Sequence, residues 1–324
     1  MKQARAGLER LSLGLCLLLW LSAGAAAQGP DGTAGTQGAQ KQPSPTFRVN
    51  VRLVNVFATV TDARGAPVAD LTKADFRVLE DGIPQTISVF DQESELPLSI
   101  ALAVDTSLST MRDFKLEVTS AKKFAHSIMR PVDHLSVFEV TENINQLTSF
   151  TSDLKTIDRA IDNLRVGAGT SLYDAIFLSS EALMSRDGRR VLVLITDGGD
   201  TTSSADYNAA LRRAQQAEAI VYSIIVVPVE ADAGRNLGGE HALIQISKDT
   251  GGKHYYAESV SELDNAFRQI SKELRTQYLI GYYPNRQVSD SPFRRIQVQV
   301  IKKDSDNGNY QVRHRAGYYT APGR

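Results

Sequence analysis

The apolar run Leu98-Ser-Ile-Ala-Leu-Ala-Val104, followed at once by Asp105-Thr106-Ser107-Leu108-Ser109, constrains this chain more than any other stretch. The run reads as a buried strand. A strand that ends in a carboxylate and two hydroxyls at alternate positions gathers hard oxygen ligands at its tip, because side chains two residues apart lean the same way. That is the outline of a divalent-cation site. Gly167-Ala-Gly-Thr170 adds a hydroxyl on a glycine-rich loop, and the apolar strand Arg190-Val-Leu-Val-Leu-Ile-Thr-Asp197, followed by Gly198-Gly199, adds a second carboxylate. All three segments lie where strands pass into loops, which is where open α/β sheets bind ligands.

Around these segments the chain alternates strands and helices. Between residues 98 and 275 the pattern predicts strands at Ile100–Val104, Leu135–Thr141, Asn145–Phe150, Val191–Thr196, Val221–Val227 and Lys253–Tyr256. Helices fall between them, at Phe114–Met129, Leu154–Leu164, Leu172–Met184, Tyr207–Glu218 and His241–Lys248. A last helix carries Leu263, Phe267, Ile270 and Leu274 as one apolar stripe. This order implies a mostly parallel sheet with helices on both faces. Residues 46–92 and 276–320 read instead as strands: alternation from Val49 to Val56, Phe76 to Glu80 turning at Asp81-Gly82 into Gln85–Phe90, then Gln277–Tyr283, Phe293–Ile301 and Tyr310–Arg315. Neither set buries its apolar face alone, so the two are expected to join as one β-sandwich with the α/β domain inserted between them.

The D-x-S-x-S run, the loop threonine and the aspartate after an apolar strand resemble the metal-ion-dependent adhesion site of von Willebrand factor A domains, whose fold is Rossmann-like. Gly169-Thr-Ser-Leu-Tyr-Asp-Ala-Ile176 and Leu194-Ile-Thr-Asp-Gly-Gly199 are similar to the usual surroundings of the second and third loops. The resemblance implies Asp105, Ser107, Ser109, Thr170 and Asp197 as the metal-binding set. With Val60–Val68, Asp75–Gly82 and Arg315-Ala-Gly-Tyr318 included, the layout resembles exported bacterial proteins related to that family, over nearly the whole of residues 46–320.

Two aspartates and three neutral hydroxyls bring only two formal negative charges to a dication, which therefore keeps Lewis acidity toward one more oxygen. The ion expected is Mg²⁺ or Mn²⁺, and the sixth ligand a carboxylate from an Asp or Glu of a partner protein. Gly198 and Gly199 let backbone approach closely. The bland reading of Asp105 or Asp197 taken singly is a helix cap. Asp200, with Thr201, Thr202 and Ser203, reads either as support for the site from behind its ligands or as a plain cap, the cap being the simpler, and Asp174 as either a site residue or a solvated helix residue. Tyr282, Tyr283, Tyr318 and Tyr319 could suggest a sugar platform, but packing at strand edges is the simpler reading.

The expected function is non-enzymatic: a metal-dependent protein-binding module in adhesion or envelope assembly. One alternative is a structural envelope protein whose metal only stabilises the fold. Another is a secreted hydrolase using Ser107 or Ser109, which the lack of a G-x-S-x-G turn disfavours. The absence of a G-x-x-x-x-G-K-[ST] run argues against nucleotide chemistry. The five histidines form no zinc-spaced cluster.

Residues 1–27 read as a signal peptide: Lys2, Arg5 and Arg10, an apolar core from Leu11 to Leu21 that contains the single cysteine, Cys16, and a small-residue site at Ala25-Ala-Ala27. Residues 28–45, rich in Gly, Gln, Ala and Pro, read as a disordered spacer. The expected location is periplasmic or secreted, with no membrane span after cleavage. Without the first 27 residues the chain has no cysteine, and its formal charge moves from −1 to −3 as Lys2, Arg5, Arg10 and Glu9 leave. No basic block points to nucleic acid.

Overall fold

The structure is a computed structural model describing residues 53–92, 95–107, 114–227, 236–285, 292–302 and 310–320. Segments 1–27 and 28–45, and Ser109, lie outside the described residues. Among the described residues no helix is long and apolar enough to cross a membrane.

The α/β domain is built on a six-stranded sheet. Its strands are β5 (Leu98–Asp105), β6 (His134–Val140), β7 (Ile144–Gln146), β8 (Arg189–Thr196), β9 (Ile220–Val226) and β10 (His254–Ala257), in the order β10-β9-β8-β5-β6-β7. All pairings are parallel except β6 with β7. Six helices cover it: α1 (Phe114–Ile128), α2 (Leu154–Asp162), α3 (Leu172–Met184), α4 (Tyr207–Gln216), α5 (Leu237–Thr250) and α6 (Val260–Arg275).

Alternation along β5 assigns the faces. Ile100, Leu102 and Val104 join Val191, Val193 and Ile195 of β8 under Phe124 and Ile128 of α1, Ile157 and Ile161 of α2, and Phe267, Ile270 and Leu274 of α6. Ala101 and Ala103 point the other way, with Leu192 and Leu194, toward Leu172, Ile176 and Leu183 of α3, Ala210 and Ala214 of α4, and Leu243 and Ile246 of α5. Small residues on that face of β5 let α3 lie close to the sheet. β5 is buried along its whole length because both faces are covered.

The remaining strands form two antiparallel four-stranded sheets. β1 (Val54–Thr61), β4 (Ile87–Asp91), β11 (Tyr278–Tyr282) and β13 (Gln311–Arg313) make one, in the order β13-β1-β11-β4. β2 (Phe76–Glu80), β3 (Ile83–Gln85), β12 (Phe293–Val300) and β14 (Gly317–Tyr319) make the other, in the order β14-β12-β2-β3. Both mix strands from before and after the α/β domain. Val54, Val56, Ala58 and Val60, with Ile280 beside them on β11, alternate inward against Phe76, Val78, Ile296 and Val298.

The hairpin at Asp81-Gly82 has both residues at positive φ, 49° and 81°, as a two-residue turn of the primed type needs. The single strand expected at Gln85–Phe90 is two. β3 pairs with β2, whereas β4 pairs with β11, so the chain changes sheets at Thr86. The strand expected at Asn145–Phe150 shortens to Ile144–Gln146, and beyond it a lone bridge joins Leu135 to Thr151.

Candidate metal centre

β5 and β8 are neighbours in register, Val104 beside Ile195. The next residue on each strand, Asp105 and Thr196, therefore emerges at the same rim. Thr196 Oγ1 donates to Asp105 Oδ2 at 2.7 Å. The backbone N–H of Ser107 donates to Asp105 Oδ1 at 3.0 Å, and Thr170 Oγ1 reaches the same oxygen at 3.4 Å. Asp105 is fully buried, and Ser107 and Thr170 are nearly so.

Burial pushes the Asp105 carboxyl above its ordinary range, and the negative charge of Asp197 adds to this, against hydrogen bonds from Thr196 and Ser107. Asp197, half-buried one residue beyond β8, accepts from Gly199 N at 2.8 Å. Four of the five residues expected from the sequence thus converge: Asp105, Ser107 and Thr170 by contact, Asp197 by its field. The fifth, Ser109, is outside the described residues.

Among the described residues no group of three or more His, Cys, Asp or Glu side chains comes together as a metal cage. A cation here would be held by two carboxylates and by hydroxyls. The set fits a hard dication in one further respect: the negative charge of Asp197 makes it costlier to keep Asp105 ionised, and a positive charge between the two would relieve that cost.

The loops that carry these groups are braced by direct hydrogen bonds. Thr170 and Thr201 exchange backbone and hydroxyl bonds, Thr201 N to Thr170 O at 2.8 Å and Thr170 N to Thr201 Oγ1 at 2.9 Å. Asp200 is a cap, as its residue type suggests, but of α3 rather than of a helix following it. Its Oδ1 accepts from Leu172 N at 2.9 Å and from Ser203 Oγ at 2.5 Å, while Ser203 Oγ accepts from Tyr173 N at 3.0 Å. Asp174 answers from the first turn of α3, accepting from Ser204 N and Ala205 N at 2.9 and 2.8 Å. It is therefore a loop-holding residue and not a solvated one.

On the other side the N-terminus of α5 presses on the loop after β8. Gly198 has φ +85°, and a Cβ on Gly239 would lie 1.7 Å from Gly198 O, so both positions require glycine.

Two contributors escape a reading of the sequence. Thr196 looks like the last residue of a strand, and only the strand register puts its hydroxyl on Asp105. Glu142 follows β6 with no motif around it. Its Oε2 accepts from Ala168 N at 3.0 Å and Gly169 N at 3.3 Å, inside the threonine loop. Its own backbone N–H and those two amides hold its carboxyl below the ordinary value.

Residues 100–199 match the family model of the von Willebrand factor type A domain. Among solved structures, BatB from Bacteroides thetaiotaomicron is 16% identical, covering 55% of this chain and 100% of its own, with a TM-score of 0.45. The vWF domain of the type V pili tip protein Mfa5 from Porphyromonas gingivalis is 12% identical, covering 55% of this chain and 94% of its own, with a TM-score of 0.45. The pilus adhesin SpaC from Lactobacillus rhamnosus GG is 10% identical, covering 74% of this chain and 47% of its own, with a TM-score of 0.46. No curated protein matches the chain. The matched residues span β5 to the loop after β8, and so include Asp105, Ser107, Thr170 and Asp197.

Proposed function

We propose that this von Willebrand factor A-like domain is the metal-dependent protein-binding module of an exported protein. Mg²⁺ or Mn²⁺, held by Asp105, Ser107, Ser109, Thr170 and Asp197, takes one carboxylate oxygen from an Asp or Glu of a partner protein, in adhesion or envelope assembly. The module is non-enzymatic and works in the periplasm or outside the cell.

The observation that supports this reading is the convergence of the Thr170 hydroxyl, the Ser107 loop and the field of Asp197 on the buried carboxylate of Asp105. Hydrogen bonds between Thr170 and Thr201, Asp200 and Leu172, and Asp174 and Ser204 brace the same loops, which supports this reading over a metal that merely stabilises the fold.

Calorimetry on the mature protein tests the proposal. One Mg²⁺ or Mn²⁺ should bind, and Asp105→Ala should lose it while the far-ultraviolet dichroism stays unchanged. Equal binding by wild type and variant would sink the reading. Capture of a partner from envelope extract should depend on the metal and disappear with chelator.

A further inference from the structure

We infer that Glu142 is a positioning residue for the candidate metal centre: from the protein surface it sets the threonine loop at the height where the Thr170 hydroxyl meets Asp105. The role rests on the metal reading above, and the geometry supporting it is independent of that reading.

Glu142 lies just past β6, and β6 is the other neighbour of β5, with Val140 beside Asp105. The corner Thr141-Glu142 therefore stands next to the first metal loop, to which it is tied by Thr106 N donating to Val140 O at 3.0 Å. Four hydrogen bonds then run from the second loop to this corner. Ala168 N and Gly169 N donate to Glu142 Oε2, Ser171 Oγ donates to Glu142 O at 3.0 Å, and Ser171 N donates to Thr141 O at 2.8 Å.

The approach is close enough to exclude a side chain. A Cβ at Gly167 would fall 2.4 Å from the Thr141 side chain and 2.9 Å from Glu142 Oε2. Thr170 is the one residue of the stretch 168–171 that makes no bond to the corner. Its hydroxyl is left to point at Asp105, and its backbone is taken by Thr201.

The carboxylate does this from solvent, since Glu142 is exposed. Truncating it opens no cavity and buries no orphaned group, but it releases two consecutive amides that fix the loop. Partners that orient a metal ligand without touching the metal typically govern about tenfold or more in affinity.

Charge alone could mimic such an effect, because removing any nearby negative group weakens a dication. Glutamine separates the two. Glu142→Gln loses the charge but keeps an oxygen that can accept from Ala168 and Gly169, whereas Glu142→Ala loses both.

The test is Mn²⁺ titration of full-length wild type, Glu142→Ala and Glu142→Gln, with hydrogen exchange at the Ala168 and Gly169 amides in chelator. We expect Glu142→Ala to bind Mn²⁺ about tenfold more weakly and to lose protection at both amides, with Glu142→Gln close to wild type on both measures. Equal weakening of the two variants, or wild-type affinity in Glu142→Ala, overturns the positioning role. If wild type itself takes up no Mn²⁺, the metal reading fails instead, and the amide protection shows whether Glu142 still holds the loop.

Discussion

Asp105 combines full burial, a nearby second carboxylate and partners that are hydroxyls and a backbone amide. A residue so placed costs the fold free energy in its charged form and is explained by a task that needs the charge. The prediction is a trade between stability and binding. Asp105→Asn keeps the shape, and its amide nitrogen can donate to Thr196 Oγ1 in place of the bond it loses. In chelator the Asn variant should therefore melt higher than wild type, a gain of about 1 kcal/mol corresponding to roughly 2–4 °C, while taking up no metal. Differential scanning calorimetry decides: a midpoint below wild type would show that the carboxylate supports the fold. The residues gathered around Asp105 were legible in the sequence because they sit in one short run, on a glycine-rich loop and at the end of an apolar strand, although the threonine loop joins α2 to α3 and does not follow a strand as expected. Thr196 and Glu142 were not, since their roles arise from register between strands that are distant along the chain.

At the scale of elements, periodicity carried most of the reading where both faces or one stripe are buried, as in β5 and α6. It misled where a strand serves two sheets. Residues 83–91 keep a strand-like composition throughout, and nothing local marks Thr86 as the crossing point, because the break is set by competition between β2 and β11 for partners. The ends of elements also hide polar fastenings, of which Asp133 is the clearest. It is fully buried in the turn before β6 and accepts from Leu98 N at the start of β5 at 2.8 Å, from Arg130 N at 2.9 Å, and from Arg275 Nη2 at the end of α6 at 2.8 Å. Burial opposes its ionisation. The hydrogen bond from Arg275 and the amides of Leu98 and Arg130 outweigh that and leave its carboxyl below the ordinary value. The folded pKa is thus lower than the unfolded one, near 3.9. The stabilisation is present in full above the unfolded value and is lost as pH falls through the folded one. Asp133→Asn should cost about 3 kcal/mol at neutral pH and flatten the decline of melting temperature below about pH 4. A variant that keeps the wild-type acid slope would place the acid sensitivity elsewhere.

Over the whole molecule, the two four-stranded sheets cannot be assigned to either end of the chain. β1 lies between β11 and β13, and β2 lies between β12 and β3, so the strands before the α/β domain find most of their partners after it. The junction is fastened by Glu273 of α6, which accepts from Tyr222 of β9 at 2.6 Å and pairs with Arg313 of β13 at 2.5 Å, with Thr59 of β1 at 3.4 Å. One carboxylate thereby joins the α/β domain to the sheet β13-β1-β11-β4, through one strand from before the domain and one from after it. Cutting the chain after Arg275 would remove β11, β12, β13 and β14 together. What remains of the sandwich would be β1, β4 and the β2–β3 hairpin, and an isolated hairpin is marginal in water. Peptides from residues 54–91 should then exchange amide hydrogens at the rate of unstructured chain, whereas the central strands β5 and β8, paired only within the α/β domain, should stay protected. Glu273→Gln in the full-length protein should show a milder form of the same pattern, because the strand pairing survives and only the fastening weakens. If residues 54–91 keep their protection in the truncated chain, the N-terminal strands form a domain of their own and the shared sandwich does not hold them.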